Sequence, residues 1–136
     1  MRVLVDTGPI VALLNRRDEH HDWARVTAAR LDRPLYTCEA VLAEAHHLLS
    51  TVHDGSLRLN DMLGSGRVDV SFRYADQATR VHELMAKYVS VPMSFADACL
   101  VTLSEELRDA RVFTVDDDFT VYRRKRNRPL DLLTPR

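Results

Sequence analysis

The chain is poor in several residue types that would mark a specialised class of protein. It has only two cysteines, Cys38 and Cys99, and they show no CxxC spacing, so neither a disulfide framework nor a cysteine-rich zinc site is indicated. We therefore expect two reduced, mostly buried thiols in a cytoplasmic protein. Lysine occurs only at Lys87 and Lys125, and the lack of a GxxxxGK motif excludes a P-loop nucleotide site.

Long hydrophobic runs and a strong net charge are also missing. No apolar stretch approaches the ~20 residues of a membrane span, and the first residues lack the layout of a signal peptide. We therefore expect no membrane partner. The formal net charge is -1, so any affinity for nucleic acid must come from a local patch. A content of 46% hydrophobic and 29% charged residues is typical of a globular protein, and the length predicts one domain over residues 1–136.

Short strands and helices alternate along the sequence. The apolar run Val3-Leu4-Val5 predicts a strand that is buried on both faces, and Pro9 is well placed to open the following helix. Other strands are predicted near 34–37, 68–72, 111–115 and 130–133, and helices at 19–30, 39–53, 57–63, 75–88 and 94–107. This alternation indicates a three-layer α/β fold, with helices on both faces of a mainly parallel sheet of four to five strands.

Four acidic residues occupy positions that such a fold can bring together. Asp6 and Asp116 each follow a predicted strand, Asp97 lies in the first turn of a predicted helix, and Glu44 borders an apolar helical stripe. Ligands of open α/β sheets bind beyond the carboxyl ends of the strands, so all four acids can converge there. Taken singly, each also has a structural explanation, as a helix cap, a capping-box partner, a solvated helix-edge residue or part of an acidic turn.

Convergence of these acids would require a proton or a cation. Two carboxylates about 4 Å apart repel by roughly 4 kcal/mol at an effective dielectric of 20, so four cannot stay ionised in one cleft unaided. An all-oxygen set of ligands suits Mg²⁺ or Mn²⁺ and not zinc. Because Mg²⁺ commonly bridges to phosphate oxygens, the pattern indicates phosphodiester hydrolysis by a metal-activated water.

The order and spacing of the acidic motifs resemble those of PIN-domain ribonucleases, in particular the VapC-type toxins of bacterial and archaeal toxin–antitoxin pairs. The likeness is carried by four segments: Val5-Asp6-Thr7-Gly8, Val41-Leu42-Ala43-Glu44, Ser94-Phe95-Ala96-Asp97-Ala98 and Thr114-Val115-Asp116-Asp117-Asp118-Phe119. It covers nearly the whole chain and implies a PIN-like domain that acts as a Mg²⁺- or Mn²⁺-dependent endoribonuclease.

The resemblance assigns a role to each acid. Asp6 and Asp97 would be the firmest metal ligands, and Asp116 would complete or support the shell. Glu44 would bind the metal through water or orient the attacking water. Asp118 fits a frequent extra acid of the family. Asp117 stands where the family often has a basic residue, which makes the rim of the site more negative.

The resemblance also implies partners. These are an RNA substrate, a second copy of the chain in a homodimer, and a small VapB-like antitoxin that offers an arginine to the acidic pocket. The candidate RNA contacts are Arg16 and Arg17, which follow the first helix, and the basic run Arg123, Arg124, Lys125, Arg126 and Arg128. Cations near the site would offset the repulsion between the acids and the RNA backbone, although such a run is usually a solvated face.

Other chemistries fit the sequence less well. Asp6-Thr7-Gly8 also spells the aspartic-protease triplet, but the helical periodicity conflicts with an all-β scaffold. A haloacid-dehalogenase-type phosphatase would need an acid where the chain has Gly8. Glu44 and His47 match a di-iron half-motif that has no second copy. Two alternatives stay open: a non-catalytic RNA- or protein-binding module on the same fold, and a Mg²⁺-dependent nuclease that acts on DNA.

Overall fold

A parallel sheet organises the protein. The computed structural model describes residues 1–136. In chain order the strands are β1 (Val3–Val5), β2 (Leu35–Tyr36), β3 (Val68–Asp69), β4 (Arg111–Phe113), β5 (Arg123–Arg124), β6 (Arg128–Pro129) and β7 (Asp131–Leu133). Five of them form one sheet in the order β3-β2-β1-β4-β7, with every neighbouring pair parallel, and β5 and β6 form a separate antiparallel hairpin.

Six helices complete the three layers. They are α1 (Thr7–Leu14), α2 (His21–Ala29), α3 (Glu39–Leu48), α4 (Gly55–Gly64), α5 (Tyr74–Lys87) and α6 (Phe95–Glu106). Helix α1 contacts α2, α3 and α4, α3 also contacts α4 and α6, and α5 packs on α6. The predicted three-layer α/β fold with a mainly parallel sheet is confirmed. None of the helices combines the length and the hydrophobicity needed to cross a bilayer.

Several boundaries differ from the sequence prediction. The helix predicted over 39–53 ends at Leu48, and a 3₁₀ turn, Leu49–Thr51, replaces its last turn. The strand predicted over 68–72 is only two residues long. The basic run at 123–128 contributes to a hairpin, whose turn contains two residues with positive φ, Arg126 at 64° and Asn127 at 56°. Neither residue is glycine, so composition alone did not mark the turn.

The buried core follows the apolar pattern of the sequence. All three residues of β1 are buried, as its continuous hydrophobic run predicted. Trp23 of α2 packs edge-on against Phe113 of β4, with ring centroids 5.2 Å apart. Cys38 and Cys99 are free and buried within the same core, which confirms the prediction of two unpaired thiols.

The connectivity places β1 beside a topological switch point. From β1 the chain builds β2 and β3 on one side of the sheet, then crosses to β4 and β7 on the other. The segments that leave β1 and β4 therefore diverge. Where the two strands end, the Asp6 N–H donates a hydrogen bond of 3.0 Å to the Phe113 carbonyl. Crevices of this kind, outside the carboxyl ends of parallel strands, are where α/β proteins bind their ligands.

Candidate metal centre

An open cleft of about 830 Å³ lies at the carboxyl edge of the sheet, where β1 and β4 end. The four acids of the main prediction line this cleft, and so do Asp117 and Asp118. No lysine or arginine is part of the lining. Residues from widely separated parts of the sequence thus converge, while their chemical roles remain predictions. The six carboxylates of the cleft are those of Asp6, Glu44, Asp97, Asp116, Asp117 and Asp118.

Asp6 is the most tightly held of these carboxylates. It is only 5% exposed; its Oδ1 accepts a hydrogen bond of 2.8 Å from the Thr7 N–H and its Oδ2 one of 2.8 Å from the Thr114 hydroxyl. Burial raises the pKa of Asp6 from 3.8 to about 7, an effect that both hydrogen bonds partly offset. Asp6 is therefore both the cap of α1 and a carboxylate whose ionised form is destabilised by burial.

Asp97 is held in a similar way at the start of α6. Ser94 caps the helix, and its hydroxyl oxygen accepts a hydrogen bond of 3.0 Å from the Asp97 N–H, as predicted for a capping residue. Asp97 Oδ2 accepts a hydrogen bond of 2.7 Å from the buried Tyr122 hydroxyl. Burial raises the pKa of Asp97 to about 6, and the Asp116 carboxylate adds to this rise against the opposing Tyr122 hydrogen bond.

Glu44 enters the cleft from α3 in a different environment. Its side chain is exposed, so it is less desolvated than its position on the border of the apolar stripe suggested. Its Oε1 accepts a hydrogen bond of 2.7 Å from the Thr7 hydroxyl. Glu44 therefore accepts a hydrogen bond from a neutral donor and forms no ion pair. Its second oxygen is free to contact water.

Asp116 and Asp118 occupy the turn that follows β4. Asp116 Oδ1 accepts a hydrogen bond of 2.8 Å from the Asp118 N–H, and the Thr114 hydroxyl oxygen accepts one of 3.0 Å from the Asp116 N–H. One carboxylate oxygen from each of Asp97, Asp116 and Asp118 lies within 4.8 Å of the other two. This compact group contains Asp118, to which the resemblance gave a lesser role, in place of Asp6, which was expected to be a firm ligand.

The charge and donor chemistry of this group fit a hard divalent cation. Three carboxylate oxygens at such separations repel one another unless a cation lies between them, and oxygen-only sets are the preference of Mg²⁺ and Mn²⁺. A cation of the same chain lies at the rim: Arg136 forms an ion pair with Asp117 and donates to the Val115 carbonyl at 3.1 Å. It pairs with an acid outside the compact group.

Three further residues of the centre were not predicted as site residues. Thr114 and Tyr122 each donate to a buried carboxylate, and His47 lines the cleft one helical turn beyond Glu44. A signal existed for His47, since residues three apart share a helix face. No local pattern marks a threonine or a tyrosine as the donor to a distant acid, so the other two required the fold.

The candidate RNA contacts fall into two separate places. Arg16 and Arg17 are exposed and line a cavity between the ends of α1 and α3. The second group lies along the β5–β6 hairpin, where Arg124 donates to the Ser104 and Arg108 carbonyls at the end of α6. Seven residues of helix separate Ser104 from Asp97, which is roughly 10 Å at 1.5 Å per residue. Arg124 therefore lies at the opposite end of α6 from the acidic cleft, whereas the Arg123 guanidinium donates to the Thr120, Val121 and Tyr122 carbonyls beside the acidic turn.

The fold and the cleft together define a class: a three-layer α/β domain whose carboxylate centre lies at the switch point of a parallel sheet. The chain belongs to the PIN domain family, since the family model described as PIN domain matches residues 3–125. The membership inferred from the acidic motifs is thus confirmed. No curated protein sequence matches the chain.

Two solved structures share the fold. VapC20 of Mycobacterium tuberculosis, a sarcin-ricin loop cleaving toxin, aligns with a TM-score of 0.78 and 24% identity over 88% of this chain and 93% of that chain. VapBC2 from Rickettsia felis, bound to a DNA fragment from their promoter, aligns with a TM-score of 0.65 and 18% identity over 98% of both chains. The predicted likeness to VapC-type PIN toxins is confirmed at the level of fold.

Proposed function

We propose that residues 1–136 form a single PIN-like domain that acts as a Mg²⁺- or Mn²⁺-dependent endoribonuclease, the toxin of a toxin–antitoxin pair. The observation that carries this proposal is the group of Asp97, Asp116 and Asp118, whose oxygens approach within 4.8 Å in a cleft with no lysine or arginine in its lining. Family membership supports a nuclease, and the fold shared with a toxin that cleaves the sarcin-ricin loop favours RNA as the substrate.

The chain's own residues divide the work of the proposed reaction. Asp97, Asp116 and Asp118 would hold the ion, and Asp6 would add a buried charge and its remaining lone pairs. When bound, the ion would supply the positive charge that activates water and stabilises the leaving oxygen of the phosphodiester. Glu44, exposed and fixed through the Thr7 hydroxyl, is placed to orient the attacking water.

Cleavage assays on paired substrates test this proposal. We expect the purified protein to cut a fluorescent RNA in Mn²⁺ or Mg²⁺ but not in EDTA, and Asp6→Asn and Asp97→Asn to lose both cleavage and calorimetric Mn²⁺ binding with unchanged circular dichroism. Full activity in both variants would refute the assignment. Cleavage of a matched DNA would identify the alternative substrate, and an absence of carboxylate-dependent Mn²⁺ binding would identify a non-catalytic module.

We further propose that RNA approaches the cleft along the side that carries Arg16 and Arg17. Leu48 lines the acidic cleft, and Thr51, three residues on, lines the cavity shared with both arginines. The acids of the cleft would repel the phosphate backbone of an RNA strand that spans both cavities. Arg16 and Arg17 would attract the same backbone and offset this repulsion. Replacing both arginines with alanine should weaken RNA binding and flatten its salt dependence, whereas the same change at Arg124 and Lys125 should have a smaller effect.

The partners follow from the same proposal. A cleft with six carboxylates and no lysine or arginine in its lining would receive an arginine presented by an antitoxin. Induced expression should arrest growth, and co-expression of a short adjacent gene that encodes a VapB-like protein should relieve the arrest. We place the protein in the cytoplasm, where RNA is available, as a homodimer. Light scattering of the purified protein would distinguish a dimer from a monomer.

A further inference from the structure

Tyr122 is the buried neighbour of the acidic centre that neither the motifs nor the family resemblance identified. Its side chain is completely buried, and its hydroxyl donates to Asp97 Oδ2 at 2.7 Å. An ionised carboxylate offers only acceptors, so the phenol hydroxyl is the donor and the direction of this hydrogen bond is fixed.

The aromatic ring of Tyr122 is locked by its neighbours. It lies edge-to-face against Tyr88 and against Phe119, each with ring centroids 5.3 Å apart. Phe119 belongs to the turn Asp117–Thr120, which contains Asp118 and is capped by Asp116. The packing thus couples the position of the Tyr122 hydroxyl to the turn that carries two of the acids, while its hydrogen bond reaches the third acid on α6.

We propose that Tyr122 is a positioning residue of the metal centre, which fixes Asp97 Oδ2 through its hydrogen bond and so leaves Oδ1 as the oxygen that binds a metal ion. This inference rests on the metal site of the proposed function and adds the device that orients it. A carboxylate that pivots freely loses entropy when it binds an ion, and one held by a donor has already lost it. Hydrogen-bond partners of metal ligands typically contribute 10- to 100-fold to affinity.

Removal of the hydroxyl tests the proposal, with a matched tyrosine as control. We expect Tyr122→Phe to weaken calorimetric Mn²⁺ binding by roughly 10- to 100-fold, and to raise the Mn²⁺ concentration for half-maximal cleavage while the KM for RNA stays unchanged. Tyr88→Phe is the control, because it belongs to the same ring cluster but its hydroxyl oxygen accepts from the Arg123 N–H at 2.9 Å and contacts no acid. It should bind Mn²⁺ like the wild type.

The outcomes separate the two proposals. If the wild type binds Mn²⁺ and Tyr122→Phe binds it equally well, the positioning role is wrong and the metal site stands. Parallel losses in Tyr122→Phe and Tyr88→Phe would show that the ring cluster acts only through the fold, and would also overturn the role. If the wild type binds no Mn²⁺, both proposals fail.

A crystal of the wild-type protein soaked in Mn²⁺ gives a readout that does not depend on any variant folding. We expect Asp97 to coordinate through one oxygen, with the Tyr122 hydrogen bond to the other oxygen intact. Bidentate coordination by Asp97, or a broken hydrogen bond, would contradict the proposal.

Discussion

Substitution of Asp6 by asparagine should stabilise the metal-free protein at alkaline pH. Asp6 is 5% exposed, and burial raises its pKa from 3.8 to about 7. In the unfolded chain it loses its proton near 3.8, whereas the native protein retains it until about pH 7. The native state therefore binds more protons across this window, and the free energy of unfolding must fall as pH rises through it. Above this window the penalty is complete and constant.

The magnitude follows from the size of the pKa shift. One pKa unit is about 1.4 kcal/mol, so the full penalty is about 4 kcal/mol, of which roughly 2.5 kcal/mol falls between pH 5 and pH 8. The substituted asparagine would carry no charge, and its amide can accept from the Thr7 N–H and donate to the Thr114 hydroxyl. Asp6→Asn should therefore preserve the hydrogen bonds and remove the penalty. Asp97, with its pKa raised to about 6, would leave a smaller pH dependence in the variant.

Urea unfolding in EDTA at pH 5 and pH 8 measures the effect. We expect the wild type to lose roughly 2 to 3 kcal/mol more than Asp6→Asn between the two conditions. Asp61→Asn, a change at an exposed acid of α4, is the matched control and should keep the wild-type pH dependence. Equal pH dependence in Asp6→Asn and the wild type would show that Asp6 is not the strained carboxylate that the burial implies.

Three other substitutions probe two contacts of the cleft and one ion pair between α5 and α6. Thr114→Val removes a hydroxyl that donates to the Asp6 carboxylate and accepts from the Asp116 backbone N–H. It should lower the free energy of unfolding by about 2 kcal/mol in a denaturant titration, and an unchanged value would contradict this role. Gly8→Ala would place a methyl group against the Val115 side chain, and the displaced turn should weaken calorimetric Mn²⁺ binding, with unaltered binding as the refuting result. Arg80→Met breaks an ion pair in which Arg80 donates two hydrogen bonds to Glu105, whose side chain is 9% exposed. The loss should cost about 2 kcal/mol of stability and lower the melting temperature. A melting temperature equal to that of the wild type would contradict this estimate.

The fold was predictable because its signals are local. The continuous apolar run of β1, the serine at the start of α6 and the alternation of strands with amphipathic helices each depend on a few adjacent residues. The predicted boundaries are wrong where tertiary contacts decide the end of an element. The end of α3 is one case, because Leu48 fits the apolar stripe of the helix and is nevertheless 53% exposed at the cleft.

The site was predictable in composition but not in arrangement. The order of the motifs identified the acids. Because the sheet is parallel, Asp6 and Asp116, which follow strands, were expected at the same edge of the sheet. The choice of Asp118 over Asp6 for the compact group depends on the turn after β4, where the Asp118 N–H bonds to Asp116 and draws both acids toward Asp97. The spacing of these acids in the sequence does not specify the direction in which their carboxylates point from that turn.

The donors around the buried acids explain how a single chain can keep such a cleft negative. Thr7, Thr114 and Tyr122 are neutral, so they orient the carboxylates without cancelling their charge. An arginine or lysine in their place would satisfy the same oxygens and would also compete with a metal. Burial without an internal cation leaves two pKa values raised, which is a free-energy cost in the isolated chain. That cost is recovered when a cation from outside, whether a divalent ion or an arginine of a partner, enters the cleft.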